Sequence, residues 1–154
     1  MSNNVKDYIV LDGNNATYSS PYLYWNIPTS YFKNWQRDDD ILIRLNSIQF
    51  TFDTGITTNN YQGMAIIETN IVGENYSNSS NKNILGLQSG LYDTQYITPY
   101  YNIRNPVQIR TNRFNRIGIA INYNNTNAYA NLETDKNLFI AILQIDYLNP
   151  NKLD

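Results

Sequence analysis

The stretch NRFNRIGIAINYNN, residues 112–125, has the clearest strand pattern in this chain. From residue 117 to 123 an isoleucine or a tyrosine occupies every second position. The positions between them hold Gly118, Ala120 and Asn122. Because successive side chains of a β-strand point to opposite faces, this period predicts a strand whose isoleucine row packs against an apolar layer. The Gly118 side is shallow, which suits close packing on the outer surface or contact with a neighbouring backbone.

Two further segments carry the same alternation with local changes. In ILIRLNSIQFTFD, residues 41–53, the apolar side switches after Leu45. A period of two that slips by one residue predicts a β-bulge near Asn46 and Ser47. In LFIAILQIDYL, residues 138–148, apolar residues fill both faces at the start, so we expect the first half of that strand to be buried on both sides.

The chain contains about eight or nine such segments, separated by turn residues. Asp12 and Gly13 predict a turn, residues 73–83 predict a polar surface loop, and one helical turn is predicted within residues 29–40. This count of strands, with almost no helix, indicates an all-β, two-sheet antiparallel sandwich, because each sheet can bury its apolar face only against the other. We expect one domain over residues 1–154.

Composition removes several classes of function. The chain has no cysteine, which excludes disulfides, thiolate metal sites and thiol nucleophiles, and no histidine, the commonest general base. The net charge of -2 argues against a nucleic-acid binder, which is usually basic. The polar start predicts no secretory signal, and no apolar run reaches the roughly 18 residues of a membrane span. We expect no cofactor.

The carboxylates are weak candidates for chemistry. Asp38, Asp39 and Asp40 could take a Ca²⁺ through oxygen ligands. Consecutive aspartates without the spacing of a calcium loop instead favour a solvated charge run before a strand, so we expect no metal site. Glu68 and Glu133 are disfavoured as a glycosidase pair because no local motif surrounds them, and we expect ordinary exposed carboxylates.

Tyrosines and arginines are the candidates for contact with a partner. Four arginines lie within a segment that contains no acidic residue, and they either bind a partner's carboxylates or phosphates or discourage pairing at strand edges. Tyrosines on strands suit a protein interface or a sugar-binding face equally well. The interface candidates are Tyr22, Tyr24, Tyr100, Tyr101, Arg104, Arg110, Arg113 and Arg116.

The last third of the chain, from NPVQIRTNRFNRIGIAINYNN to LFIAILQIDYL, resembles the single jelly-roll minor capsid and penton-type proteins of large eukaryotic DNA viruses and their relatives. Those domains tend to end with a short strand, a turn with an asparagine and an aromatic residue, an alternating isoleucine strand, a polar hairpin and a closing apolar strand. The earlier segment DDILIRLNSIQFTFD looks like a long strand of the same fold. The pattern contains no functional residue that can be transferred to this chain.

The resemblance implies a jelly roll of about eight strands and a structural role in a virion. The expected partners are further copies of the chain, as a homo-oligomer, and other capsid proteins; nucleic acid is not expected as a partner. The resemblance also implies no enzyme activity. The alternative is a carbohydrate-binding, lectin-like β-sandwich that serves as an attachment module, because Trp25 and the tyrosines suit a sugar-binding face and asparagines bond hydroxyls in both directions.

Most carboxylates are expected in turns and at strand ends, and Asp146 is the exception because it lies in the apolar closing strand. The environment of Asp146 separates a structural role from a catalytic one. Alternation places it with Gln144 on the polar side of the closing strand, so we expect it at the sheet edge, in contact with solvent or a neighbouring subunit. Asp146→Asn is then expected to disturb assembly or stability modestly. A pairing of Asp146 with Glu68 in a deep pocket would instead indicate a hydrolase.

Overall fold

The computed structural model describes residues 6–28, 40–50, 65–71, 83–88, 102–104, 106–110, 114–123, 128–134 and 136–148. These residues form short 3₁₀ turns at Gly13–Asn15 and Lys136–Leu138 and eleven strands. The strands are β1 (Lys6–Asp12), β2 (Thr17–Ser19), β3 (Tyr22–Asn26), β4 (Asp40–Gln49), β5 (Ala65–Thr69), β6 (Asn83–Gln88), β7 (Asn102–Arg104), β8 (Val107–Arg110), β9 (Arg116–Tyr123), β10 (Ala128–Tyr129) and β11 (Ile140–Tyr147). The helical turn predicted within 29–40 and most of the loop predicted at 73–83 fall outside the described residues.

The strands of the described chain form two antiparallel sheets. The smaller sheet has four strands in the order β1-β11-β4-β8. The larger sheet has seven strands, six of them in the order β2-β3-β9-β5-β6-β7, with β10 paired to β9. The predicted all-β, two-sheet antiparallel sandwich is therefore confirmed.

Eight of these strands pair in a nested way that defines the topology. β1 pairs with β11, β3 with β9, β4 with β8, and β5 with β6, so the first of the eight meets the last and the fourth meets the fifth. This is the pattern of a long hairpin rolled up into two sheets, which is a jelly roll. The remaining strands, β2, β7 and β10, are short additions to the larger sheet.

The core lies between the two sheets, as the isoleucine row of β9 predicted. Ile117, Ile119 and Ile121 are fully buried, and they belong to the same apolar cluster as Leu143 and Ile145 of β11 in the opposite sheet. Burial of one such side chain contributes roughly 1.5–3 kcal/mol to folding. Alternation in each sheet therefore fixes which face turns inward.

The predicted bulge in β4 is confirmed. Ser47 pairs with Ile142 and Leu45 pairs with Leu143, so Asn46 is the extra residue. The slip by one residue explains the switch of the apolar side, because Leu45 is buried before the bulge and Ile48 packs partly on the core after it. A second register shift, in the pairing of β5 with β6, was not predicted.

At the predicted turn after β1, the backbone comes close to the segment that leads into β11. The backbone N–H of Gly13 donates to the carbonyl of Phe139 at 2.8 Å. A Cβ atom on Gly13 would lie only 1.7 Å from the Lys136 carbonyl oxygen, so this approach requires glycine. The indole N–H of Trp25 donates to the Asp12 carbonyl at 2.7 Å. Trp25 is buried in the core, so its expected place on a sugar-binding face was wrong.

Candidate functional site

The interface residues predicted from the sequence are spread over both sheets. Tyr22 and Tyr24 lie on β3 and Arg116 on β9, all in the larger sheet. Arg104 lies on β7 of the larger sheet, whereas Arg110 lies on β8 of the smaller one. The predicted residues outside the described chain are Tyr100, Tyr101 and Arg113, together with the calcium candidates Asp38 and Asp39.

On the outer face of the larger sheet, two tyrosine rings and an arginine pack over a glycine. The rings of Tyr22 and Tyr24 lie 5.5 Å apart, and the guanidinium carbon of Arg116 lies 3.9 Å from the centre of the Tyr24 ring. Tyr24 pairs with Gly118 across the strands. A Cβ atom on Gly118 would lie 2.6 Å from Cε1 of Tyr24, so the shallow position predicted in β9 is the floor for this ring.

Beside these rings lies a buried polar cluster that consists of Glu68, Asn122 and Tyr129. Glu68 is opposite Ala120 and Tyr129 is opposite Asn122, which brings β5, β9 and β10 together. Glu68 is only 3% exposed and Asn122 is completely buried. The expectation of an ordinary exposed carboxylate was wrong for Glu68, because it lies within a strand flanked by paired strands and beneath tyrosines. Glu133 is exposed, as expected.

Tyr129 of this cluster and the neighbouring Tyr22 are held in the protonated form. Burial, the hydrogen bond with Glu68 and the charge of that carboxylate raise the pKa of Tyr129 to about 12, while the Asn122 side chain acts in the lowering direction. Burial, and then the charge of Glu68, also raises the pKa of Tyr22 above its usual value. Both phenols are therefore neutral hydrogen-bond donors over the physiological pH range. No sequence pattern pointed to Tyr129 or Asn122, since strand pairing alone brings them to Glu68.

Part of the outer face of the smaller sheet, on β1 and the start of β11, is apolar and exposed. Tyr8 and Val10 of β1 expose 57% and 56% of their surface, and Ile140 of β11 exposes 41%. Val10 pairs with Ile142, so these residues form one continuous patch. We name Tyr8, Val10, Ile140 and Ile142 the apolar face. The prediction that the first half of β11 is buried on both sides was wrong, because its outward residues face solvent.

Charged and polar residues adjoin the apolar face at the other end of β11. Arg44 Nε lies 3.0 Å from Oδ2 of Asp146, and the Gln144 amide donates to Oδ1 of the same carboxylate at 2.8 Å. The predicted position of Asp146 beside Gln144 is confirmed, but its predicted place at the sheet edge was wrong, since β11 lies between β1 and β4. Asp146 and Glu68 belong to different sheets and point outward on opposite sides of the sandwich, so they do not form a carboxylate pair.

Asp40 begins β4, and its carbonyl accepts a hydrogen bond from the N–H of Leu148. Within the described ranges, no group of three or more acidic residues is arranged to hold a metal ion. The same part of the chain contains no helix long and apolar enough to cross a bilayer. In comparisons with known proteins, no protein family, no curated protein and no solved structure matches this chain.

Proposed function

We propose that the protein is a structural capsid protein of the minor capsid or penton type, located in the virion, that acts by assembling with copies of itself and with other capsid proteins. The jelly-roll fold is compatible with this role but does not select it, because viral capsid domains and lectins share it. The observation that carries the proposal is the exposed apolar face of the smaller sheet.

An exposed apolar face of this kind is typical of a site that binds another protein surface. Large apolar side chains scattered singly are normal on a protein surface, whereas contiguous apolar patches mark interaction sites. Tyr8, Val10 and Ile140 are neighbours on two paired strands, and each exposes two fifths or more of its surface. Burial of these side chains against another subunit would stabilise an assembly through the hydrophobic effect.

Light scattering on the purified protein, with mass spectrometry of purified particles, tests this proposal. We expect species larger than the 17.9 kDa chain, and the chain among the particle proteins. Ile140→Lys should shift the population toward smaller species, whereas the control Thr17→Lys, at an exposed position of β2 in the other sheet, should not. A strict monomer that is absent from particles would contradict the proposal.

A second candidate function is carbohydrate binding, and the Tyr22–Tyr24 pair beside Arg116 favours it. These rings lie on the outer face of the larger sheet, where a sugar could stack on them. A glycan array with calcium present tests this reading, and Tyr24→Ala should abolish any signal that arises there. Absence of glycan binding at high protein concentration would leave the lectin function without support.

Absence of intrinsic enzyme activity is part of the proposal. Without histidine and cysteine, acid–base chemistry would depend on groups such as Glu68 or Asp146, and these point away from each other on opposite sides of the sandwich. Turnover of a glycoside substrate by the wild type that is lost in Glu68→Gln would overturn this part.

A further inference from the structure

We propose that two copies of the chain pair through their β1 strands, antiparallel and in one defined register. This pairing would join the two four-stranded sheets into one continuous sheet of eight strands. This pairing would be the first contact of the self-assembly proposed above, and as a step of assembly it rests on that proposal. It is carried by the backbone of β1, by its exposed side chains and by its sequence.

The outer edge of β1, which faces away from β11, is the surface where the second copy would pair. Among the described strands, β1 pairs only with β11 and ends the smaller sheet. Gly13 donates to the Phe139 carbonyl, so Gly13 directs its N–H toward β11. By the alternation of an antiparallel ladder, residues 7, 9 and 11 also direct their backbone groups toward β11. In an antiparallel ladder the alternate residues point the other way, so Lys6, Tyr8 and Val10 direct their N–H and C=O groups to the outer edge. The bond from Trp25 to the Asp12 carbonyl fits this alternation, since it comes from the side away from β11.

The second step is the self-complementary sequence of the strand, KDYIVLD. When two copies run antiparallel with Ile9 at the two-fold axis, all seven residues overlap. Lys6 then faces Asp12 of the other copy, and Tyr8 faces the other Val10. Opposite charges and an aromatic residue beside a β-branched one are favourable cross-strand pairs. Tyr8 and Val10 are residues whose backbone groups point outward, as hydrogen bonding between the edges requires. At each Lys6–Asp12 pair the Asp12 carbonyl already accepts from Trp25, so only the bond from the Asp12 N–H to the Lys6 carbonyl is expected there.

The third step is the contrast with the opposite edge of the same sheet. Within the described residues, β8 spans four residues and follows an exposed proline, Pro106, and both features discourage pairing. β1 has seven residues, pairs with β11 without a register shift, and carries its single lysine at one end. A long, regular edge strand with exposed apolar side chains readily pairs with another chain. The complementary ends of β1 make a second copy the partner that fits.

Cysteine cross-linking tests the register, because the chain has no cysteine of its own. Tyr8→Cys mixed with Val10→Cys should form a disulfide-linked heterodimer under mild oxidation, since these positions face each other within disulfide reach. Each variant alone should remain largely unlinked. A disulfide that forms only within Tyr8→Cys alone or Val10→Cys alone would overturn the proposed register, and the absence of any cross-link would overturn the pairing.

A lysine scan separates the edge contact from assembly through the apolar face. Val10→Lys should raise the dimer dissociation constant at least about tenfold. The substitution weakens the pair between residues 8 and 10, and this pair occurs twice because of the two-fold axis. Ile140→Lys charges the same face on the neighbouring strand and should retain the dimer. If Ile140→Lys abolishes the dimer and Val10→Lys does not, the edge pairing is refuted while assembly through the face stands. A monomeric wild type also refutes the pairing, and the presence of the chain in particles then decides the proposed function.

Discussion

The outer faces of the two sheets arise from the same alternating pattern but have opposite characters. On the larger sheet, the outward residues Glu68 and Asn122 are buried in a cluster with tyrosines. On the smaller sheet, the outward residues Tyr8 and Val10 are more than half exposed although they are apolar. Alternation therefore assigns a side chain to one face of the sheet, whereas the neighbouring strands and aromatic rings determine whether that face is covered.

The largest expected difference between the two faces comes from removing one carboxylate from each. Glu68→Ala should lower the free energy of unfolding by about 2 kcal/mol, because it removes the hydrogen-bond partner of Tyr129 and leaves a cavity where a buried side chain lay. Asp146→Ala should cost less than about 1 kcal/mol, since its partner Arg44 is substantially exposed to solvent. Urea denaturation of both variants measures the difference. Equal losses of unfolding free energy would show that the buried polar cluster contributes no more to stability than the surface ion pair does.

A smaller effect is expected from filling the floor beneath Tyr24. Gly118→Val should displace the ring and weaken its contacts with Tyr22 and Arg116, at a cost of about 1 kcal/mol. Thr17→Val, at an exposed position of β2 in the same sheet, is the matched control and should change stability by less than about 0.5 kcal/mol. Thermal denaturation compares the two variants. If Gly118→Val is neutral, the close approach of the ring contributes nothing to stability.

The smallest effect is confined to alkaline pH and reports on Tyr129. Its pKa is about 12 in the folded protein against 10.0 for an ordinary tyrosine. The folded state therefore retains the phenol proton more tightly, and this stabilisation is present below pH 10 and is lost as the pH rises toward 12. The stability difference between wild type and Tyr129→Phe should shrink over that window.

Unfolding free energies measured at several pH values in that range test this prediction. A Glu68→Ala background serves as the control: it removes the hydrogen bond and the charge but leaves part of the burial, so the pH dependence attributed to Tyr129 should become smaller. A difference that stays constant from pH 10 to 12 would contradict the assignment.

The sequence determined the elements that depend on neighbouring residues. The period of two in residues 117–123 predicted the buried row of β9, and the slip after Leu45 predicted the bulge at Asn46. Asp12 and Gly13 predicted the turn that ends β1. Such features follow from local geometry, because the side-chain direction in a strand and the backbone freedom of turn residues are fixed within a few positions.

Which outer surfaces of the sandwich are covered depends on tertiary packing and not on the local sequence. Glu68 was expected to be exposed and is buried, while Ile140 was expected to be buried and is exposed. Both errors have one cause, which is that burial of an outward side chain depends on strands distant in sequence. β10 brings Tyr129 to Glu68, whereas the outward side of β11 lies open to solvent beside β1. The sequence therefore determined the inner faces of the sandwich, and tertiary packing determined the outer ones.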